Sequence, residues 1–292
     1  MTKQNEKVTA LLEQLELGLD NLFESDNYRK WLETLSHFHA YSFGNTVLIA
    51  SQCPEATRVA GYQTWKKLNR QVRKGEKAIK ILAPVIRKVD EIKKDKNGNP
   101  ILNKKGEPVQ EERLVGYRTV SVFDISQTDG EELPGLASYR MDCKVQGYDR
   151  LFEALKAVSP VPVRFQDLPR GTYGYFSRKD KEIVLSQGMT EADIISTLFH
   201  EMAHSVLHGT EAAADMDTHI KEVEAESVAY VLSSRFGLPC EEVSLSYIAG
   251  WASMDQEKRK VLKKAMSRIT KASSQLLKGI EEALGEIEEI CA

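Results

Sequence analysis

The stretch from Thr190 to Gly209 constrains this chain more than any other. Ile194, Ile195, Leu198, Phe199, Met202 and Val206 recur at three- and four-residue intervals, the spacing of one apolar face on an α-helix. Thr190 stands where an N-cap belongs, and Asp193 occupies the capping-box position usually held by Glu. Gly209 supplies a C-terminal stop. A helix of this length with one apolar stripe needs a second layer to cover it. Inside it lies His200-Glu201-Met202-Ala203-His204. Residues four apart share a helix face, so His200 and His204 present two imidazoles side by side.

Two imidazoles on one face can bind a single metal ion at about 2.0–2.1 Å each, and a catalytic zinc takes three protein ligands with one open position. Glu201 sits beside the first histidine, where it reaches a metal-bound water without ligating. The third ligand is expected on the Glu-rich helix that follows, in which Glu222 and Glu226 are spaced i, i+4 and Glu224 points away. Glu222 is read as the metal ligand and Glu226 as the carboxylate that accepts the other N–H of a ligand histidine. Chance supplies H-E-x-x-H in roughly one chain in a hundred of this length, so the motif counts only with its helix and the second carboxylate helix. Two other readings use the same residues: a pair of packed or solvated surface histidines, and a zinc site kept for structure without turnover. Tyr230, Tyr247, His208 and His219 are all candidates to stabilise a developing oxyanion; for His208, one turn further on, a satisfied or solvated side chain is the simpler reading.

Before this region the pattern is different. Val8, Leu11, Leu12, Leu15, Leu19 and Leu22 predict a helix with Gly18 inside it, and a second helix covers 28–35. Asn45 or Thr46 is placed to cap a short apolar helix from Val47 to Gln52, ended by Pro54. Strands are expected at 78–86 and 117–125, joined through a Lys/Asn/Gly-rich excursion at 95–108. After a linker at 135–145, the sequence predicts a helix at 148–157, a strand at 161–165, a hairpin of 173–176 with 182–185, and a helix at 220–236. The apolar segment 244–253 and one or two amphipathic helices over 255–290 follow. The fold class is α+β in two domains, 1–135 and 146–292, the second with a long helical C-terminal extension.

The net charge of -3 conceals an imbalance. Residues 58–118 hold 17 Lys/Arg against 7 Asp/Glu, about +10, so the remainder is near -13. A basic segment of this size suits a polyanion partner. Phe43, Tyr62 and Trp65 are interleaved with Lys66, Lys67, Arg70, Arg73, Lys74 and Lys77. Single-stranded nucleic acid is held by such a mixture, with cations along the phosphates and flat rings under the bases. The same residues also fit core aromatics beside a solvated lysine face.

Four cysteines without C-x-x-C pairing, Cys53, Cys143, Cys240 and Cys291, argue against a disulfide framework or a cysteine zinc site. No apolar run approaches a membrane span, and the polar N-terminus lacks a signal-peptide core. The expected location is the cytoplasm.

The order of motifs resembles a known family. Asn45-Thr46-Val47-Leu48-Ile49, Ala60-Gly61-Tyr62-Gln63-Thr64-Trp65-Lys66, Val72-Arg73-Lys74-Gly75-Glu76-Lys77-Ala78-Ile79, Val122-Phe123-Asp124-Ile125 and Gln127-Thr128-Asp129-Gly130 are similar to the N-terminal single-stranded-DNA-binding domain of ArdC-like antirestriction proteins. Residues from about 171 to 251 resemble zincin-like metallopeptidases of the ImmA/IrrE type. The resemblance implies Zn2+ on His200, His204 and Glu222, with Glu201 as general base of a peptidase. It also implies a DNA site that includes Asn45, and a mobile-element protein that engages single-stranded DNA and has a protein or peptide substrate. The rival expectation is a DNA-binding protection module whose zinc domain is structural or binds protein.

Overall fold

The computed structural model describes residues 3–22, 25–92, 99–102, 106, 108–131, 145, 147–238 and 256–291. By their contacts they form two compact units, Met1–Leu17 with Val59–Gly130, and Gly18–Arg58 with Glu131–Ala292. Helix α1 (Lys3–Asn21) crosses the boundary between them.

The first unit is built on β1 (Val59–Ala60), helix α4 (Tyr62–Lys67), β2 (Arg70–Val72), β3 (Ile79–Ile92), β4 (Gln110–Asp124) and β5 (Thr128–Gly130). β3 and β4 form a long antiparallel hairpin whose register runs from Ile79 opposite Val122 to Ile92 opposite Gln110, and β1 pairs with the far edge of β4. β2 pairs antiparallel with β5. The strands expected at 78–86 and 117–125 are the inner half of this hairpin. Its outer half carries charged residues and exposed apolar ones, with Ile86 and Leu114 opposite each other. No alternation marks those positions, and the ladder of backbone hydrogen bonds extends the strands past the buried part. Trp65, Val72, Ile79, Ile81 and Val122 supply the core.

In the second unit, α2 (Ser25–His37) and α3 (Phe43–Gln52) join α5 (Tyr148–Val158), β6 (Val163–Gln166), β7 (Gly174–Ser177), β8 (Glu182–Ser186), α6 (Glu191–His208), α7 (Thr218–Phe236) and α8 (Gln256–Cys291). Residues 18–58, read from sequence as part of the N-terminal domain, therefore pack with the C-terminal segment. The Tyr28 hydroxyl meets Ser227 Oγ at 2.8 Å, and Arg235 and His39 both reach Glu281. β8 is the central strand of its sheet, parallel to β6 and antiparallel to β7. The parallel pairing was not visible in the sequence, because a short strand carries no mark of its partner's direction. Ile183, Val184 and Leu185 have no exposed surface, as befits a strand covered on both faces.

The α3 helix begins earlier than its sequence signals suggested. Ser42 is the N-cap residue, and neither Asn45 nor Thr46 caps it. Thr46 instead lies buried inside the helix, accepting the Trp31 indole N–H at 3.0 Å and donating to the Phe43 carbonyl. Gly18 sits opposite this helix. A Cβ there would stand 3.1 Å from Val47 Cγ1, so the glycine in α1 serves close helix packing. The tail is one helix, α8. The linker at 135–144, Cys143, Cys240, and the 244–253 segment with Tyr247 and Trp251 lie outside the described residues. Among the described residues, no helix is long and apolar enough to cross a membrane.

Candidate metal centre

Helix α6 forms as its sequence requires. Thr190 Oγ1 accepts the Asp193 backbone N–H, a cap worth about 1 kcal/mol. Ile195, Leu198, Phe199, Met202 and Ala203 are fully buried on one side. His200 and His204 lie on the other side. Helix α7 opens on Asp217, whose carboxylate accepts from His219 and Ile220, and closes on Gly237 in the left-handed region. It packs along α6 and brings Glu222 to the histidines.

His200 Nε2 and His204 Nε2 are 3.0 Å apart. Glu222 Oε2 lies 3.4 Å from the first and 3.5 Å from the second. Two ligand atoms about 2.0–2.2 Å from one tetrahedral ion are separated by roughly 3.3–3.5 Å, so the Glu222 oxygen stands at the spacing of a tetrahedron's corners from both nitrogens, and the two nitrogens lie somewhat closer together than that. Two imidazole lone pairs facing each other repel unless a proton or a cation lies between them. Among the described residues, these three side chains are the one group of His, Cys, Asp or Glu able to share an ion.

The charges follow from the packing. Burial lowers the proton affinity of His200, but the Glu222 hydrogen bond and the charges of Glu201, Glu222 and Glu226 outweigh it and leave its pKa raised. Hydrogen bonds from His200 and then His204 hold the Glu222 carboxyl far below the usual carboxylate range. Glu201 is 7% exposed. Its burial raises its pKa against the opposing pull of the two histidines and the Phe176 backbone N–H. Strand β7 thus holds the carboxylate beside the cluster. The Glu226 charge is felt at His200, and a further carboxylate, Glu224, stands at the end of the histidine row. Its Oε2 lies 3.0 Å from His208 Nε2, and His208 Nδ1 lies 3.0 Å from His204 Nδ1. Arg268 from α8 binds the other Glu224 oxygen. Sequence spacing showed Glu224 pointing away from Glu222. It could not show that the opposite face of α7 is buried against the next turn of α6, and nothing marked Arg268 as its partner. Tyr230 donates to Glu33, away from the cluster.

The residues read from the sequence as a nucleic-acid surface separate. Trp65 is fully buried and donates its indole N–H to the Phe123 carbonyl, so it holds helix α4 to the sheet and offers no face to a base. Phe43, packed edge-on against Trp31 at 5.5 Å, and Asn45 belong to the second compact unit. Arg70 is spent on Thr128 and the Gly130 carbonyl, and Arg73 on Glu76, Asp129 and the Ser126 carbonyl. These two arginines tie β2 to β5. Tyr62, 47% exposed, shares an open groove of about 520 Å³ with Lys66 and Asn69. Lys67, Lys74 and Lys77 are exposed in the same unit.

Comparison with known proteins supplies the relatives. Residues 3–123 match the family model of the N-terminal domain of anti-restriction factor ArdC. An uncharacterized Bacillus anthracis protein, pXO2-81, is 27% identical over 281 residues, covering 87% of this chain and 48% of its own length. The chain thus spans about half of that curated relative. The Mn(II)-bound crystal structure of the antirestriction ArdC protein from the R388 plasmid aligns over 91% of this chain and 97% of its own, with a TM-score of 0.53 and 20% identity. The metal-free form of the same protein aligns over 83% of this chain and 86% of its own, with a TM-score of 0.48 and 21% identity. The manganese-bound match is a likeness of fold. Residues 3–123 thus match the N-terminal domain of the anti-restriction factor ArdC, and the chain as a whole is similar to ArdC in fold.

Proposed function

We propose that this chain is a mobile-element antirestriction protein that engages single-stranded DNA and carries out zinc-dependent peptide hydrolysis. One observation carries the reading: His200 Nε2, His204 Nε2 and a Glu222 oxygen converge within 4.8 Å of one another. Residues 1–135 are assigned to DNA and 146–292 to the metal chemistry, with the helices of 18–58 supporting the latter through Tyr28 and His39. The Mn(II)-bound relative supports a divalent ion in this fold. The two-histidine, one-carboxylate donor set with room for a fourth ligand suits zinc.

Bound zinc supplies Lewis acidity and a water of lowered pKa. His200, His204 and Glu222 hold the ion. Glu201, buried and with its proton affinity raised, takes the proton from the attacking water and keeps it until the leaving amine needs it. The Phe176 N–H fixes that carboxylate in place. On the DNA side, Tyr62 provides the stacking face, and Lys66, Lys67, Lys74 and Lys77 follow the phosphates.

The test is metal content of the purified full chain by mass spectrometry, with His204→Ala alongside. About one zinc per chain, lost in the variant, is expected. No metal under zinc-replete, chelator-free conditions would sink the hydrolytic reading. Glu201→Gln then separates turnover from binding: loss of peptide cleavage with zinc and DNA binding intact is expected. A wild-type chain that holds zinc but cleaves nothing in a broad peptide library would favour a structural or protein-binding zinc domain.

A further inference from the structure

We infer that the groove between helix α4 and the β2–β5 ribbon reads a guanine base in a single strand, with Tyr62 stacking on the base and Asp129 gripping its Watson–Crick edge. The inference rests on the DNA reading above and adds a base preference to it.

The two walls of the groove carry different chemistry. Tyr62 and Lys66 stand one turn apart on α4, so they share a face, and both line the groove. Gln71 and Asp129 are directly opposed in the antiparallel pairing of β2 with β5, so their side chains leave one face of the ribbon together and line the same groove. Their neighbours Val72 and Thr128 are buried on the other face. At the end of the groove a Cβ on Gly130 would run into the Asn69 carbonyl, so the glycine lets the backbone close there. The volume of about 520 Å³ falls within the range of small-ligand pockets.

Asp129 is out of place on a surface that only follows phosphates. Residues 58–118 are strongly basic, and a carboxylate among those cations repels a phosphate. Its side chain is 74% exposed, and its ion pair with Arg73 Nη1 is long, 3.4 Å. Arg73 is held at closer range by Glu76 and the Ser126 carbonyl. A carboxylate accepts at both oxygens and never donates. Among the DNA bases guanine alone presents two adjacent donors, N1–H and N2–H2, one for each oxygen. Adenine and cytosine set a ring-nitrogen acceptor beside their amino group, and thymine has one N–H between two carbonyls. Each of these would turn a lone pair toward a carboxylate oxygen. Guanine O6, next to N1–H, falls to the Gln71 amide, which supplies a donor. Tyr62 offers a stacking face that any base can use, and Asp129 makes the choice among them.

The experiment uses the full chain and fluorescence anisotropy. Labelled oligothymidines carry one central guanine, adenine, cytosine or inosine, a single site being used so that no guanine quadruplex forms. The guanine strand is expected to bind roughly tenfold tighter than oligothymidine, with adenine and cytosine giving no gain. Inosine, which lacks the N2 amino group, should lose most of the preference with the protein unchanged. Asp129→Asn, checked for folding by circular dichroism, should bring the guanine and thymidine strands to one affinity, because its amide sets a donor against a guanine donor; the ratio is what is read. Should that variant fail to fold, the inosine strand decides. Equal binding of all strands by the wild type, inosine equal to guanine, or a guanine preference retained in Asp129→Asn overturns the guanine grip and leaves the DNA reading standing. Titration calorimetry with dGMP and dTMP separates a base in a strand from a free nucleotide. A chain that binds dGMP but no oligonucleotide upholds the grip on guanine and overturns both its single-strand source and the DNA reading. A chain that binds neither overturns both inferences.

Discussion

Trp65 donates its indole N–H to the backbone carbonyl of Phe123 at 2.9 Å, joining helix α4 to the end of strand β4. The ring has no exposed surface, whereas Tyr62, one turn earlier on the same helix, is 47% exposed. The two aromatics therefore have opposite duties. Trp65→Ala should cost about 3–5 kcal/mol of stability and impair DNA binding only by unfolding its unit. Tyr62→Ala should leave stability within about 0.5 kcal/mol and remove stacking worth roughly 1–3 kcal/mol per base. Urea denaturation and fluorescence anisotropy with a labelled oligothymidine check both. A folded Trp65→Ala that has lost binding, beside a Tyr62→Ala that binds normally, would reverse the assignment.

Strand β7 approaches α6 so closely at Gly174 that a Cβ would lie 2.8 Å from Thr197 Cγ2 and 2.9 Å from the Val184 carbonyl. The threonine can shift slightly, but the backbone of the central strand cannot. Gly174→Ala should destabilise by about 1–3 kcal/mol as an overpacked contact. It should also move Phe176, two residues on, whose N–H holds Glu201. The expected result is a lowered Tm together with a fall in hydrolysis larger than the fall in zinc content. Unchanged turnover in a variant with reduced Tm would show that Glu201 does not depend on this strand.

The site was more legible than the surface. His200 and His204 converge because i, i+4 spacing on a capped helix leaves them no alternative, and Glu222 follows because its helix is the next long one. Trp65 was misread because interleaving with lysines is the same in sequence whether a ring faces solvent or core. The ties of Arg70 and Arg73 could not be read, because their partners Thr128 and Asp129 lie on a three-residue strand more than fifty residues away. Contacts such as His208–Glu224–Arg268 depend on the rotation of three helices about their axes, which apolar periodicity fixes only coarsely.

Zinc uptake should release protons. In the metal-free cluster Glu222 is ionised across the neutral range, so it brings no proton to displace. The raised pKa of His200 means that this nitrogen holds a proton to higher pH than an ordinary imidazole. Zinc and that proton compete for one lone pair. Apparent affinity should therefore rise as pH increases through about 6.5 and level off only above the raised His200 value. Titration calorimetry in the range of about pH 6 to 7, repeated in buffers of different ionisation enthalpy, should report a net release of protons that shrinks as pH rises. A pH-independent affinity between about pH 6 and 8 would mean that no proton occupies the cluster before the metal enters.

Glu201 gives a prediction of opposite sign to the usual carboxylate. Its folded pKa is raised above the unfolded value, chiefly by burial. Such a group favours the folded state below the unfolded pKa, and that contribution disappears as pH rises through the folded one. At neutral pH the buried carboxylate is therefore a cost to folding. Glu201→Gln keeps a carbonyl to accept the Phe176 N–H while removing the charge. In the metal-free protein the variant should melt a few degrees above wild type near pH 7, and the gap should close below about pH 4, where the wild-type carboxyl is protonated in both states. Scanning calorimetry across that range decides it. A wild type more stable than the variant at neutral pH would show that attraction to His200 and His204 outweighs the burial of the charge. The carboxylate would then be a structural partner of the histidines and no longer a base held ready at their side.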